Sequence, residues 1–427
     1  MRALRGPLRS RNFQLLLGCD MVSMAGTAIS SVATPFAVLS IGGSGSDVGY
    51  VATAYLLPMV AFLLLGGVVA DRLPRHQVMV AADLVQGAAQ GIAAALLLTG
   101  TAHVWELVLL AIVWGTGLGF YFPAATGLLP QTVPEEQRAQ ANAIDRVGRN
   151  SAQIGGSALG GILVGLAGPG WGLAVDAASF AIAAALRIGM RIPAKQQADG
   201  TSVLHELREG WHEFISRRWL WAIVLQFAGI CAITSATISV LGPVVAATRL
   251  GGARSWGYIL AAYGIGAVAG GIVMIRYRPA RMLLAASVGV LILSTLLFAL
   301  AVPLAVPLIA AAAFVAGASG ELFVVNWVTT MQQEIPPDAL SRVSAYDALG
   351  SFALAPVGTV VAGPLLLAFG APAVLTAGGV LVLVFTAAVF LVPEVRQLRR
   401  AEPAQLPDTE ALPGPATAAA PPGSAPG

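Results

Sequence analysis

One block of the chain occurs twice at a fixed distance. Gln131-Thr132-Val133-Pro134, Ala143-Ile144-Asp145-Arg146-Val147-Gly148 and Gly161 recur as Gln333-Glu334-Ile335-Pro336, Ala345-Tyr346-Asp347-Ala348-Leu349-Gly350 and Gly363, each 202 residues later. Two halves of about 200 residues therefore carry related segments. In an apolar chain such a duplication is the mark of transport proteins built from parallel repeats around a central path.

The chain is apolar enough for that reading. Hydrophobic residues make up 57% and charged residues 11%, with a mean hydropathy of +0.79, where a soluble domain carries roughly 25% charged residues. The expected fold class is an all-α integral membrane protein with twelve transmembrane helices in two pseudo-symmetric six-helix bundles. A net charge of +3 gives no sign of a nucleic-acid partner. Cys19 and Cys231 stand singly in apolar segments and suggest neither a disulfide framework nor a metal site. No cofactor is implied.

A spanning helix needs about 20 mostly apolar residues. Twelve such segments fall near 13–40, 48–70, 77–99, 104–129, 138–166, 171–190, 219–247, 256–275, 281–300, 304–330, 340–368 and 372–392. The organisation expected is a basic N-terminus (1–12), a first six-helix bundle (13–190), a linker with an amphipathic helix (191–218), a second bundle (219–392) and a tail (393–427) that is Pro/Ala-rich and disordered from about 401. With the N-terminus on the cytoplasmic side, twenty of the 24 basic residues, Arg187 counted among them, fall in inner segments. Arg249 and Arg254 fall outside, and Arg146 and Arg149 lie within a segment. The positive-inside rule thus predicts cytoplasmic N- and C-termini in a cell membrane.

Between segments 2 and 3 stands Gly66-Gly67-Val-Val-Ala-Asp71-Arg72-Leu-Pro-Arg75-His76. It resembles the inner-loop signature of the major facilitator superfamily. Val133-Pro-Glu-Glu-Gln-Arg138 before segment 5, and Arg342-Val-Ser-Ala-Tyr-Asp347-Ala-Leu-Gly-Ser-Phe352 opening segment 11, look like the branch that holds enterobactin and macrolide exporters. The resemblance implies that Gly67 lets helices approach closely, that Asp71 faces the positive end of helix 11, and that Arg72 and Arg75 find acidic partners, latching the halves on the cytoplasmic side. The second half reads Gly270-Gly271-Ile-Val-Met-Ile275-Arg276, with Ile275 in place of the aspartate. Segment 4 lacks the arginine common in proton-coupled drug antiporters, and segment 5 has Gly155-Gly156 where they have Gly-Pro.

Charges inside a bilayer cost about 2.5–3.5 kcal/mol on insertion scales, so each is a functional candidate. Segments 1, 4, 7 and 10 line the cavity in the family resembled. That makes Glu321 and Asp20 the candidates for proton coupling or substrate contact, although Asp20 also fits an interfacial residue reaching cytoplasmic water. Asp83, Asp145, Arg146, Arg149 and Asp347 lie near the inner ends and are expected to pair as a gate network. Trp114, Tyr121, Phe122, Gln226, Asn326 and Trp327 are cavity candidates, each equally explained by helix packing. Asp176 has no assigned part.

These readings converge on a monomeric secondary transporter that exchanges protons for a small amphipathic substrate across the lipid bilayer, by alternating access and in the export direction. An importer or uniporter, a membrane-integral enzyme or a lipid scramblase are the alternatives. The four histidines are dispersed over loops, which disfavours an enzyme. No Walker-type phosphate loop is present, and Lys195 is the only lysine, which argues against ATP hydrolysis.

Overall fold

The structure is a computed structural model that describes residues 6–190, 211–277 and 279–398, without the side chains of a few helical residues, Asp71 and Ile275 among them. The linker before residue 211 and the tail beyond 398 lie outside the described residues.

Every regular element among the described residues is helical. The first six long helices are α1 (Arg11–Ser40), α2 (Gly45–Arg72), α3 (Arg75–Thr99), α4 (Val104–Thr126), α5 (Arg138–Ala167) and α6 (Pro169–Ile188). Then come α7 (Arg218–Arg249), α8 (Ala253–Arg276), α9 (Met282–Ala301), α10 (Val306–Glu334), α11 (Pro337–Phe352), α12 (Ala355–Val389) and the short α13 (Pro393–Gln397). The ends of the spans agree with the apolar segments to within four residues.

Local chemistry sets several of these ends. Ser44 caps α2 by accepting from Asp47 N–H, while the Asp47 carboxylate accepts from Ser44 N–H at 2.7 Å. Within α7 the ladder slips into a π turn over Thr237–Leu241, directly before Pro243, which has no N–H to continue it. At Gly370 φ is +76°, which splits α12 into a 355–369 arm that completes the span begun by α11 and a 371–389 arm that forms the last span.

Ten stretches are long and apolar enough to cross a membrane, and one of them, Arg342–Val389, holds two spans. The helix missing from them, α5, is diluted by charges in its first half and by Asn150, Gln153 and several serines and glycines beyond, yet is 30 residues and packs along α1 and α8. Twelve spans result among the described residues. Their outer surfaces present large apolar side chains such as Leu57, Trp105, Leu159, Leu166 and Leu367, as a chain solvated by lipid requires.

In the first half, α1 packs on α5 and α6, α2 on α4, and α3 on α4 and α6. In the second, α8 packs on α10, α9 on α10 and α12, and α7 on α12. The same contacts are built twice. A Cβ on Gly115 would lie 2.1 Å from the Tyr55 carbonyl oxygen, and one on Gly317 would lie 2.0 Å from that of Tyr263. Between the halves, a Cβ on Gly257 of α8 would lie 2.6 Å from the Ser157 carbonyl oxygen of α5, and one on Gly49 of α2 would lie 2.6 Å from that of Thr359 in α12. Such backbone-to-backbone approach holds membrane helices together where the hydrophobic effect does little.

All glycine contacts between the halves fall toward one face, that of the turns at Gly42, Gly168 and Gly251–Gly252. We call it the opposite face. The arginine-rich face carries the other ends of the spans, with Arg72, Arg75, Arg138 and Arg342.

Candidate functional site

The main concentration of buried charge lies in the first half. Asp20 sits in α1, Asp83 in α3 and Arg187 in the last turn of α6, so three helices bring their charges together toward the arginine-rich face. Arg187 is fully buried. Its Nη1 donates to Asp83 Oδ2, and its Nη2 donates to Asp20 Oδ1 at 2.6 Å and to the Tyr121 hydroxyl at 2.8 Å. The guanidinium lies 5.0 Å from the centroid of the Tyr121 ring. That hydroxyl in turn donates to Asp20 Oδ1 at 3.3 Å. From α5, Arg149 reaches Asp20 Oδ2 at 3.7 Å and Asp145 Oδ2 at 3.9 Å. Three carboxylates therefore share two guanidiniums, leaving the cluster one proton short of neutrality. Buried charges persist only when paired, and here the pairing is incomplete by one.

A second ion pair joins the two halves. Arg146 on α5 pairs through Nη2 with Glu321 Oε1 on α10, with the arginine side chain 57% exposed and the glutamate 16%. This pair is balanced.

The second half fills the corresponding space with rings. Phe227 and Phe323 stack with centroids 4.8 Å apart and planes 3° apart, Phe323 continues onto Trp327 at 6.3 Å, and Trp219 meets Trp327 edge-on at 5.8 Å. Asp347 accepts from Trp327 Nε1 at 3.1 Å and from Ser351 at 3.3 Å.

Several expectations need correction. Arg187, counted with the inner loops, is buried inside α6 because two carboxylates hold it there. Asp83, Asp145, Arg146, Arg149 and Asp347 do not form one gate network. Asp83, Asp145 and Arg149 belong to the first-half cluster, Arg146 bridges to Glu321, and Asp347 is held by Trp327. Gly67 is not the close-approach residue, since a Cβ there meets nothing within 4 Å, whereas one on Gly66 would lie 2.4 Å from the Gly119 carbonyl oxygen. The Asp71 side chain lies outside the described residues. Arg72 is exposed, and the Arg75 guanidinium fills the space over Gly127 of its own half.

Of the cavity candidates, Trp114 lines a cavity, Tyr121 belongs to the ion cluster and Phe122 is exposed on α4. Gln226 donates to Thr386 at 3.0 Å, and Asn326 donates to the Leu322 carbonyl at 2.8 Å and approaches Met274 Sδ at 3.8 Å. Both are buried against neighbouring helices, and Trp327 is part of the ring stack. The cavity at Trp114 encloses about 210 Å³ inside the first half, among Ser30, Thr34, Tyr55, Gln90 and Trp114, with Ser239 of the α7 π turn closing it from the second half. Asp20 and Asp83 each lie some two turns into their helices from the arginine-rich face, and Arg187 lies in the last turn of α6 at the same face. That shared end of the bundle, with an arginine side chain long enough to cover the difference in depth, is the signal that would have grouped them.

Comparison with known proteins agrees with this architecture. The family model of the Major Facilitator Superfamily matches residues 16–355. The chain is 27% identical over 409 residues to the multidrug efflux pump Tap of Mycolicibacterium fortuitum, covering 92% of this chain and 97% of that one. To macrolide efflux protein A of Streptococcus pyogenes it is 24% identical over 216 residues, about half of each. Among solved structures, a POT family transporter in complex with 5-aminolevulinic acid superposes with a TM-score of 0.73 at 11% identity, covering 90% of this chain and 97% of that one. The nucleoside transporter NupG superposes with a TM-score of 0.70 at 15% identity, covering 89% and 98%. These two likenesses concern the fold. With the duplicated halves, the twelve spans and a family match across most of its length, the chain belongs to the Major Facilitator Superfamily and is a multi-pass membrane transporter of small molecules.

Proposed function

We propose that this transporter exports a small amphipathic organic compound by alternating access, in exchange for protons. The observation that carries the reading is the first-half cluster, in which, among the described residues, Arg187 and Arg149 are the cations that pair with Asp20, Asp83 and Asp145. A group of charges one proton short of neutrality is suited to taking up and releasing that proton as the halves rearrange. Glu321 is the second coupling candidate. Its one-to-one pairing with Arg146 gives it the part of a bridge that protonation would release. Charge balance favours the cluster centred on Asp20 over the balanced Glu321 pair.

The export direction draws support from the relatives named as multidrug and macrolide efflux proteins. The excess of arginine on one face supports cytoplasmic N- and C-termini. In that orientation the glycine contacts close the outer side. The next step of the cycle then opens α5 from α8 and α2 from α12, and the Asp71 to Arg75 segment latches the inner side.

The test is transport by purified protein in lipid vesicles, with and without an imposed pH gradient, over a panel of macrolides, cationic dyes and siderophores. Substrate accumulation that depends on the gradient is expected. Asp20→Asn should lose concentrative transport while keeping downhill exchange, and Glu321→Gln should retain part of the gradient response. Full accumulation by both variants would overturn the proton reading. Uptake in the direction opposite to export would overturn the assignment of direction.

A further inference from the structure

One intramembrane carboxylate stands outside everything described so far. Asp176 of α6 is fully buried, and among the described residues no arginine, lysine or histidine pairs with it. Its neighbours are neutral. Gln90 of α3 donates to Asp176 Oδ2 at 2.8 Å, Ser30 of α1 stands beside its carboxyl, and Ser179 of α6 approaches Oδ1 at 3.4 Å. Gly26 of α1 completes the wall, because a Cβ there would sit 2.8 Å from Oδ1. The nearest charged groups on the packed helices are engaged elsewhere. Arg187, eleven residues further along α6 and so roughly 16 Å away along the axis, holds Asp20 and Asp83. Arg146 and Arg149 of α5 hold Glu321, Asp20 and Asp145.

Asp176 is connected to a space. Its partner Gln90 and the neighbouring Ser30, to which Gln90 also donates at 2.7 Å, both line the cavity of about 210 Å³. Across the cavity stand Tyr55 and Trp114, edge to face with centroids 5.6 Å apart. Trp114 Nε1 is buried with no hydrogen-bond partner. Two aromatic rings, an unused N–H donor and a buried carboxylate one side chain behind the wall form a recognisable set. Aromatic rings attract organic cations, and a buried anion lacking a counter-charge must either bind a proton or receive a positive ligand.

We propose that this first-half cavity is a binding site for an organic cation bearing an aromatic or bulky apolar group, with Asp176 as its counter-charge. In the empty site Asp176 holds a proton. When the cation enters, the carboxyl ionises and the proton leaves past Ser30 and Gln90. A substrate with an acceptor oxygen near its amine also satisfies Trp114 Nε1. Because Ile238 and Ser239 of the α7 π turn line the cavity from the second half, beside Tyr55 of the first, occupation of the site is felt by the second half. The inference deepens the transport reading by naming a substrate class and does not depend on which residue carries the coupling proton.

The probe is benzyltrimethylammonium, which has no proton of its own, so any proton released on binding comes from the protein. Titration into the purified full-length chain in detergent is followed by calorimetry and, in weak buffer, by a pH indicator. We expect release of about one proton per cation bound. Asp176→Asn, which keeps the hydrogen bonds of the site, should release none and bind at least tenfold more weakly. Ala93→Leu, which fills the cavity and leaves Asp176 intact, should abolish binding and release together, and serves as the decisive variant if Asp176→Asn fails to fold. Absence of binding by the parent, binding without proton release, or unchanged affinity in either variant overturns the proposal. Loss of gradient-driven transport in the parent bears on the export reading alone, and failure of the titration with transport intact bears on this site alone.

Discussion

The two halves share a scaffold and differ in what fills it. At equivalent positions 202 residues apart, Tyr121 corresponds to Phe323, Asp145 to Asp347, Arg146 to Ala348 and Arg149 to Ser351. The first half therefore closes its centre with an ion cluster around Arg187, and the second closes it with the Phe227–Phe323–Trp327 stack. Backbone contacts repeat, as at Gly115 and Gly317 or Gly49 and Gly257, while chemistry does not. Duplication preserves what positions helices, and side chains that meet protons or substrate have been free to diverge. On the proposed function the charged half is the one that would respond to protonation, with the aromatic half as its dry counterpart.

The largest test of this contrast removes the centre of the cluster. Arg187→Met strands two buried carboxylates, and breaking such a pair costs about 3–5 kcal/mol. A large fall in thermal stability of the purified protein is expected, with much of it recovered when Asp20→Asn and Asp83→Asn are added. A single variant as stable as the parent would show that the cluster does not hold the first half together.

Next in size are the glycines at which the halves touch. In Gly257→Ala or Gly49→Ala the new methyl would meet a carbonyl oxygen at 2.6 Å, and such overpacking costs about 2 kcal/mol. Both variants should open the opposite face to a similar degree, because the two contacts are copies of each other. Labelling of a cysteine introduced at Val244, beside the Gly45 contact, reports the opening. Strong labelling in one variant and none in the other would break the pseudo-symmetry.

A reciprocal exchange separates the two fillings more finely. Tyr121→Phe deletes a hydroxyl that bonds both Asp20 and Arg187, and Phe323→Tyr inserts one into a dry stack. Each should cost about 1 kcal/mol. Stability measured across pH should keep the parent profile for Phe323→Tyr and change it for Tyr121→Phe, since only the cluster holds ionisable groups, and equal pH responses would remove the distinction.

Most of the scaffold was legible in the sequence. Apolar runs report helices directly, since a lipid-exposed backbone has little alternative, and the 202-residue offset reported the two bundles. The site was legible by residue type and less so by partner. Asp20, Asp83, Asp145 and Glu321 stood out as charges in apolar runs, but which cation each meets depends on helix rotation and neighbour, which no single segment encodes. Arg187 was misread because it ends its segment, where charge is cheap. Gln226 and Asn326 sit on the expected helices, yet their faces turn to Thr386 and Met274.

The smallest expected effect lies at the bridge between the halves. Arg146 is more than half exposed, and exposed pairs contribute about 0.2–1 kcal/mol, so Arg146→Ala should leave stability nearly unchanged. Its influence should appear in the balance between states. The pair joins α5 to α10, and the positions that would form its symmetry copy are Ala348 and Gly119. The second half thus supplies no matching bridge. Removing the pair should shift the population of the state closed on the opposite face by less than about fivefold. The shift should shrink in high salt, because water and ions reach the guanidinium. The Val244 cysteine reports the shift. A change of tenfold or more, insensitive to salt, would mean that the bridge, rather than the buried cluster, governs the difference between the halves.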